Sequence, residues 1–250
     1  ECYPCRHGMY HICESLKVMG FQTGGAAQEF FPIDAKKVLK LPDSITLDYG
    51  AMIEPISVGV HAIGRGGDVE GKSVLVLGAG TIGNLVGQVA KASGAKAVMI
   101  TDINEYRLEK AEECGLDFGV NPQKEKLSEA ILRDFGPDRA DLILECVGAQ
   151  DTITQAVENA RKGTTIVVVG VFGKKPQVDL GLVQDHELSL VGTLMYQKSD
   201  YERAIELVAR GKLALNPLIT NYFAFDDYLD AYLAIDEAQG NSMKVMITLD

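Results

Sequence analysis

The sequence is poor in several features that mark particular protein classes. It has no tryptophan, only 7% of its 250 residues are aromatic, and 35 acidic residues outnumber 24 basic ones. The net charge of −11 argues against nucleic acid and anionic membranes as partners, because both attract clusters of lysine and arginine. The longest apolar runs, at 73–80 and 164–172, are far too short to cross a bilayer. We therefore expect neither a nucleic-acid-binding protein nor a membrane protein.

Cysteine is also scarce, and its placement does not fit a secreted disulfide scaffold. There are five cysteines, an odd number, and three of them lie within the first thirteen residues. No signal peptide opens the chain, so a cytoplasmic location is expected. The first residue is Glu1 rather than Met, and we expect the native protein to begin upstream of it.

The spacing of apolar residues divides the chain into three stretches. Residues 1–50 are irregular, with short strand-like pieces at 26–33 and 37–42. Residues 51–193 alternate apolar strands with helices, and residues 194–250 contain two helices and a final strand. The predicted segments are strand 73–78, helix 81–94, strand 97–102, helix 104–115, helix 128–136, strand 141–148, helix 152–163, strand 165–173, helix 199–212, helix 226–240 and strand 244–249. Such alternation predicts an α/β fold with a doubly wound parallel sheet.

A glycine-rich motif lies between the first predicted strand and the helix that follows it. Gly78, Gly80 and Gly83 form the pattern G-x-G-x-x-G. Gly78 allows a tight turn, Gly80 lets the backbone approach a pyrophosphate, and Gly83 lets the helix pack closely on the strand. The amide groups and the positive end of the helix then receive the phosphates. In this strand–glycine–helix context the motif predicts a dinucleotide site rather than a flexible turn.

The coenzyme type follows from the end of the next strand. Asp102 lies there, at the separation of about 20 residues that is typical of ribose-binding carboxylates. Its carboxylate accepts hydrogen bonds from both ribose hydroxyls and repels a 2′-phosphate, which favours NAD(H) over NADP(H). Arg107 lies one helical turn further on, and it either stacks on adenine or is an ordinary solvated helix residue.

The first thirteen residues carry a second candidate site. Cys2, Cys5 and Cys13 present three thiols on a loop with little apolar content. Two cysteines separated by two residues can grip one tetrahedral zinc ion with a third returning from the loop, but structural zinc takes four such ligands. The fourth ligand is unaccounted for. A redox dithiol, a disulfide and reduced surface thiols stay open as alternatives, although a redox pair is expected at a helix N-terminus beside a strand.

Several segments, in one order, resemble the zinc-dependent medium-chain dehydrogenases, and among them the sorbitol (L-iditol) dehydrogenases. The resemblance covers the whole chain and rests on ECYPCRHGMYHIC, GAMIEPISVGVHAIGRGGD, VLVLGAGTIG, TDINEYRLEKA, DLILECVGA, VVVGVFG and GTLMYQKSDYERAIEL. It implies a GroES-like, mainly β catalytic domain into which the doubly wound (Rossmann) coenzyme domain is inserted. We expect residues 1–50 and 194–250 to belong to the catalytic domain, only partly present here, and residues 51–193 to form the NAD-binding domain.

The resemblance also implies roles for individual residues. A further cysteine, three positions before Cys2 and outside this chain, would complete a structural zinc site with Cys2, Cys5 and Cys13. Glu54 matches the family's carboxylate at the catalytic zinc, which it binds directly or through water. Taken alone, the Glu54-Pro55 pair also fits a helix start, where proline and negative charge are both favourable. The residues that match positions lining NAD(H) are Ile82, Val147, Gly148, Gly170, Val171 and Phe172.

We expect the remaining histidines and cysteines to be structural. His61 is a lone histidine on an apolar helix face, where a packed core residue is the simpler interpretation. His7 and His11 are expected to be solvated loop residues, with a role as the fourth zinc ligand as the alternative. Cys114 and Cys146 are expected to pack in a helix end and a buried strand.

The resemblance implies hydride transfer between a secondary alcohol, a polyol or sugar alcohol, and NAD, with zinc lowering the pKa of the hydroxyl. Family members carry a Cys and a Gly-His-Glu motif for the catalytic zinc in a segment that this sequence lacks. Two alternatives therefore stay open: a chain that binds NAD(H) without turnover, and a zinc-free reductase of the quinone reductase type. The Cys-rich loop and Glu54 argue against the latter. Because family members are dimers or tetramers, we expect a homo-oligomer, with 186–195 as the shared sheet edge.

Overall fold

The computed structural model describes residues 2–249, and from residue 47 to residue 192 its helices and strands largely alternate. Before residue 47 there is one short helix and two 3-10 turns, at Tyr10–Ile12 and Ala35–Lys37. The helices and strands are, in chain order, α1 (Tyr3–Arg6), α2 (Leu47–Gly66), β1 (Ser73–Leu77), α3 (Thr81–Ala92), β2 (Ala97–Thr101), α4 (Glu105–Glu113), β3 (Phe118–Val120), α5 (Leu127–Phe135), β4 (Leu142–Glu145), α6 (Gln150–Asn159), β5 (Thr165–Val168), α7 (Leu180–Asp185), β6 (Ser189–Gly192), α8 (Lys198–Ala209), β7 (Ile219–Ala224), α9 (Tyr228–Glu237) and β8 (Lys244–Thr248).

Six of these strands form one sheet in the order β3-β2-β1-β4-β5-β6. Every neighbouring pair in this sheet is parallel. The strand order reverses between β1 and β4, so the loops that leave these strands turn in opposite directions and open a crevice at their carboxyl ends. This arrangement confirms the predicted doubly wound fold and places the glycine-rich motif at the crevice.

The sheet has a helical layer on each face, which the alternation of side chains along β1 makes clear. Val74 and Val76 join a core shared with α2, α3, α4 and α8. Leu75 and Leu77 join a second core shared with α5 and α6. All four side chains are fully buried, as expected for a parallel strand covered on both faces.

The helix α2 crosses one face of the sheet and is the longest helix among the described residues. Thr46 caps its first turn by accepting a hydrogen bond from the backbone N–H of Tyr49. Pro55 therefore lies inside the helix and not at its start, so the interpretation of Glu54-Pro55 as a helix start is wrong. The tertiary contacts of α2 with α3 and α8 outweigh the helix-breaking tendency of proline, which amounts to about 3 kcal/mol.

The two ends of the chain differ in how well the apolar pattern predicted them. The two helices and the final strand expected after residue 194 are present as α8, α9 and β8. The strand β7, which was not predicted, pairs parallel with β8 in a separate two-stranded sheet. The strands expected at 26–33 and 37–42 are not formed, because within residues 2–249 no segment pairs with them. No described helix combines the length and apolar character that a bilayer span requires.

Candidate dinucleotide and zinc sites

The glycine-rich turn after β1 is shaped by contacts that leave no room for a side chain. Gly78 has a φ of +103°, and a β-carbon there would lie 2.5 Å from the side chain of Val147. A β-carbon on Gly83 would collide with the carbonyl oxygen of Gly78. Gly80 caps the N-terminus of α3, and a β-carbon on it would meet only a guanidinium nitrogen of Arg107, at 4.0 Å. The structure thus shows a tight turn at Gly78 and a close approach of helix and strand at Gly83.

Asp102 lies directly after β2, and its carboxylate is held beside the glycine turn. One oxygen accepts a hydrogen bond from the backbone N–H of Ala79 at 2.9 Å, and the other accepts one from Asn104 at 2.9 Å. A guanidinium nitrogen of Arg107 lies 3.7 Å away, and the Asp102 side chain is only 8% exposed. Since each carboxylate oxygen can accept a second hydrogen bond, Asp102 retains acceptor capacity for a hydroxyl pair at the mouth of the crevice.

The loops after β4 and β5 meet backbone to backbone at the same edge of the sheet. Gly148 has a φ of +77° and lies against the carbonyl group of Val171, while Gly170 lies against the backbone N–H of Gly148. Val147 and Val171 are 47% and 90% exposed, so each loop carries an apolar side chain that the rest of the chain does not cover. Phe172 and Ile82, in contrast, pack partly buried against the two cores of the sheet.

Glu145, the last residue of β4, was not predicted and organises these loops. Its side chain is fully buried, and one oxygen accepts hydrogen bonds from the N–H groups of Val147 and Gly148 and from the hydroxyl of Thr152, at 2.7 to 2.9 Å. Its backbone carbonyl accepts from Gly170 at 2.9 Å. A charged residue inside an otherwise apolar strand was the available signal, because a buried carboxylate requires such partners.

The three cysteines of the first loop converge. The sulfur of Cys2 lies 3.5 Å from that of Cys5 and 3.8 Å from that of Cys13. Four thiolates at about 2.3 Å around a tetrahedral zinc ion lie about 3.8 Å apart, so this arrangement fits zinc. Backbone N–H groups of Glu14 and Cys5 lower the pKa of Cys2 to about 7. The neighbouring thiols of Cys13 and Cys2 raise the pKa of Cys5 to about 12.

Neither nearby histidine joins the cluster of sulfurs. His7 hydrogen bonds to the carbonyl of Tyr3 at 2.8 Å and stacks on its ring, and it is exposed as expected. His11 was expected to be solvated, but it is buried, with a ring nitrogen 3.1 Å from the amide of Gln197 and its ring against that of His61. That expectation was wrong because the cysteine loop folds onto α2 and the start of α8, which desolvates His11 and lowers its pKa.

On α2, Glu54 and His61 both face the segment that leads into α8. The hydroxyl of Tyr196 donates a hydrogen bond to the exposed carboxylate of Glu54 at 2.9 Å. His61 is bound to the carboxylate of Asp200 at 2.8 Å and is mostly buried, in line with its predicted structural role. Burial, the hydroxyl of Tyr201 and the charge of Glu54 all raise the pKa of Tyr196, so its phenol keeps its proton. Tyr196 lies within GTLMYQKSDYERAIEL, one of the segments that carry the family resemblance, but no role was predicted for it.

Comparisons with known proteins agree with this geometry. Residues 81–210 match the family described as zinc-binding dehydrogenase. The chain is 34% identical over 247 residues to 2-dehydro-3-deoxy-L-galactonate 5-dehydrogenase of Pseudoalteromonas atlantica, covering 99% of this chain and 72% of that protein. It is 33% identical to human sorbitol dehydrogenase, covering 98% of this chain and 69% of that protein.

A solved structure from Escherichia coli, described as a short chain alcohol dehydrogenase complexed with NADH, superposes with a TM-score of 0.92. It is 30% identical, and the match covers all of this chain and 73% of that one. The chain belongs to the zinc-binding dehydrogenase family. The predicted family, fold class and oxidoreductase class are thereby confirmed, and a zinc-binding family with an NADH-bound relative agrees with the predicted cofactors, NAD and zinc.

In this zinc-binding dehydrogenase the described residues fit a structural zinc ion better than a catalytic one. The sulfurs of Cys2, Cys5 and Cys13 lie within 4.8 Å of one another, and they form the one group of three or more such ligands found between residues 2 and 249. No such group includes Glu54, whereas catalytic zinc typically has three protein ligands. Among the described residues, three thiols are thus placed where they could hold one zinc ion, and Glu54 belongs to no such cluster.

We expect the 250-residue chain to bind at most one zinc ion, and to release it readily to a chelator. Three thiolates leave one position of the tetrahedral shell open to water, and a water ligand dissociates easily. Zinc titration with a colorimetric chelator as competitor measures the affinity and stoichiometry.

Cys13→Ser should abolish this binding, and the matched control Cys114→Ser should not affect it, because Cys114 lies buried at the end of α4, outside the cluster. One tightly held, chelator-resistant zinc ion in the wild-type chain would contradict the prediction and would require a fourth protein ligand.

Proposed function

We propose that this chain serves the NAD-dependent transfer of hydride between a secondary alcohol of the sugar-alcohol class and nicotinamide. The observation that carries the proposal is the Asp102 carboxylate, fixed beside the glycine turn by the N–H of Ala79 and close to Arg107. Two relatives, named for sorbitol and for a deoxygalactonate, support a polyhydroxylated substrate.

The coenzyme would lie along the carboxyl edge of the sheet. The amides at the start of α3 would receive the pyrophosphate, with Gly78, Gly80 and Gly83 permitting its approach. Asp102 would bind the adenosine ribose, and Arg107 would lie beside it. The nicotinamide half would lie against residues of the β4 and β5 loops and of the first turn of α3: Val147, Gly148, Gly170, Val171, Phe172 and Ile82.

At the reacting end, Glu54 is the proposed catalytic-zinc carboxylate. Zinc bound in such sites lowers the pKa of an alcohol hydroxyl, which is the chemistry the ion supplies. The chain's own contribution is to orient that carboxylate, since the hydroxyl of Tyr196 donates a hydrogen bond to one oxygen and leaves the other oxygen free of this bond. The second proposed zinc ion would be structural, at Cys2, Cys5 and Cys13.

Two alternative functions are favoured or disfavoured by particular observations. A chain that binds NAD(H) without turnover is favoured by the lack of a three-ligand group at Glu54 among the described residues. A zinc-free reductase is disfavoured by the convergence of the three cysteine sulfurs, which such an enzyme does not need. A cytoplasmic location is part of the proposal, in keeping with cysteines that are not paired as disulfides.

Replacing Asp102 by alanine tests the choice of coenzyme. Asp102→Ala should weaken NAD(H) binding, because charge-assisted hydrogen bonds to the ribose are lost, each contributing about 1.5–3 kcal/mol. The preference for NAD(H) over NADP(H) should narrow, because the repulsion of the 2′-phosphate also disappears. Fluorescence titration of both coenzymes measures the two dissociation constants.

Asp117→Ala is the matched control for Asp102→Ala. Asp117 also accepts a backbone hydrogen bond, from Val98 at 2.8 Å, and has a cationic neighbour, Lys91, but it lies at the opposite end of β2. The Asp117→Ala variant should have a lower free energy of unfolding, but its preference for NAD(H) over NADP(H) should not change. An unchanged NAD/NADP ratio in Asp102→Ala would show that Asp102 does not bind the ribose.

Activity of the isolated chain separates a dehydrogenase from a chain that only binds coenzyme. We expect the 250-residue polypeptide, tested alone, to bind NAD(H) but to oxidise polyols very slowly, because Glu54 by itself does not hold zinc. The assay mixes the chain, NAD, zinc and a panel of polyols and follows NADH absorbance. Zinc-dependent turnover at about 1–10³ s⁻¹, the usual enzyme range, would contradict this expectation and point to a catalytic site among residues considered structural.

The edge of the sheet supports a homo-oligomer. On one side β6 pairs with β5, and on the other it has no partner strand between residues 2 and 249. Leu190 and Leu194 on or beside this strand are 39% and 51% exposed. We therefore include edge-to-edge pairing of two copies through β6 in the proposal, since an uncovered apolar edge strand otherwise favours aggregation.

A charge on that edge tests the pairing. Leu190→Lys should shift the chain toward monomer, because a lysine on an edge strand opposes strand addition. Leu132→Lys on α5, where Leu132 is 47% exposed, is the control and should leave the mass unchanged. Light scattering after gel filtration measures the mass, and a monomeric wild-type chain would rule out this part of the proposal.

A further inference from the structure

A turn near the C-terminus reaches the adenosine end of the proposed coenzyme site. It follows α9 and comprises residues 238–243, before β8. Gln239 and Gly240 both have positive φ angles, +49° and +92°, and the N–H of Asn241 donates to the carbonyl of Ala238 at 2.9 Å. The turn therefore has a defined backbone shape, in which the carbonyl of Gly240 faces Arg107 and the side chain of Asn241 faces Asn104.

Three separate hydrogen bonds join this turn to the coenzyme loops. The guanidinium of Arg107 donates to the carbonyl of Gly240 at 3.1 Å. The side-chain amide of Asn104 donates to the side chain of Asn241 at 3.1 Å. The hydroxyl of Thr81, the first residue of α3, donates to the carbonyl of Met243 at 3.0 Å. Each of these bonds joins two residues more than 130 positions apart in the sequence, so no local sequence pattern could predict them.

The three donors belong to the parts of the site proposed to contact the adenosine half of the coenzyme. Thr81 begins the helix that would receive the phosphates. Asn104 directly precedes α4, and its backbone N–H also donates to Asp102. Arg107 lies 3.7 Å from the same carboxylate. The turn is thus bonded to Asn104 and Arg107, the two residues that also contact Asp102.

The geometry points to the turn 238–243 as a clamp that holds Asn104, Arg107 and Thr81 in place for the adenosine half of NAD(H). Gly240 and Asn241 are accordingly positioning residues, which act on the coenzyme through Arg107 and Asn104. This inference rests on the proposed NAD-binding function and deepens it, because it makes affinity for the coenzyme depend on a segment beyond the six-stranded sheet. The nicotinamide half is not touched by the clamp.

Two substitutions disturb the clamp in different ways. In Gly240→Ala the new β-carbon would lie 3.1 Å from the amide nitrogen of Asn104 and 3.5 Å from the guanidinium of Arg107, at a φ that alanine rarely adopts. Asn241→Ala removes one hydrogen bond from an exposed residue without backbone strain. The second variant is expected to fold even where the first is unstable.

The probes are AMP, which carries the adenosine half, and nicotinamide mononucleotide, which carries the other half. Calorimetric titration should show a dissociation constant for AMP about two- to tenfold higher in both variants, the loss expected for one neutral hydrogen bond. Affinity for nicotinamide mononucleotide should not change. Gly163→Ala is the matched control, because Gly163 has a φ of +81°, a β-carbon added there would meet nothing within 4 Å, and the residue precedes β5 at the opposite end of the sheet.

A double-mutant cycle tests whether Asn241 affects AMP binding through Asn104. If Asn241 acts through Asn104, then Asn104→Ala combined with Asn241→Ala should weaken AMP binding no more than Asn104→Ala alone. Folded variants that bind AMP as tightly as the wild type would overturn the clamp. A wild-type chain that binds neither AMP nor NAD(H) would instead overturn the proposed function, and the clamp with it, so the two failures are distinguishable.

Discussion

The close contact between the start of α3 and the end of β1 is the constraint on which the rest of the site depends. The carbonyl oxygen of Gly78 lies where a β-carbon of residue 83 would be, so the helix approaches the strand as closely as two backbones allow. This approach directs the first amides of α3 into the crevice and brings the N–H of Ala79 to the carboxylate of Asp102. Any side chain at residue 83 would separate the two elements and move the proposed phosphate and ribose positions together.

Three carboxylates in this part of the structure differ in how deeply they are buried and in which groups they bond. Glu145 is fully buried, and the loops around it are ordered by the hydrogen bonds that one of its oxygens accepts. Asp102 is nearly buried but keeps unused acceptor capacity at the crevice. Glu54 is exposed, with Tyr196 as its partner. The same chemical group therefore orders loops in the first position, while it is a proposed ribose ligand in the second and a proposed metal ligand in the third.

The strands of the main sheet could be predicted from sequence where they are covered on both faces. Residues of β1, β2, β4 and β5 are apolar almost without interruption because helices cover both sides. The three-residue strand β3 and the strand β7 were not predicted, since the first is too short for a pattern and the second is only half-buried. The start of α2 was misjudged because proline is usually found in the first turn of a helix, and here packing against α3 and α8 prevails.

Features that depend on a few consecutive residues could be recognised from the order of residues alone. The glycine motif, the position of Asp102 after its strand and the spacing of the three cysteines each reflect a local backbone or ligand requirement. The pairing of distant groups became known from the folded chain: Tyr196 with Glu54, Gln197 with His11, and Gly240 with Arg107. The physical reason is that the type of a residue determines only which kind of partner its side chain requires: a hydrogen-bond donor, a hydrogen-bond acceptor or an apolar environment. Which remote atom meets that need depends on how the helices and loops pack around the sheet.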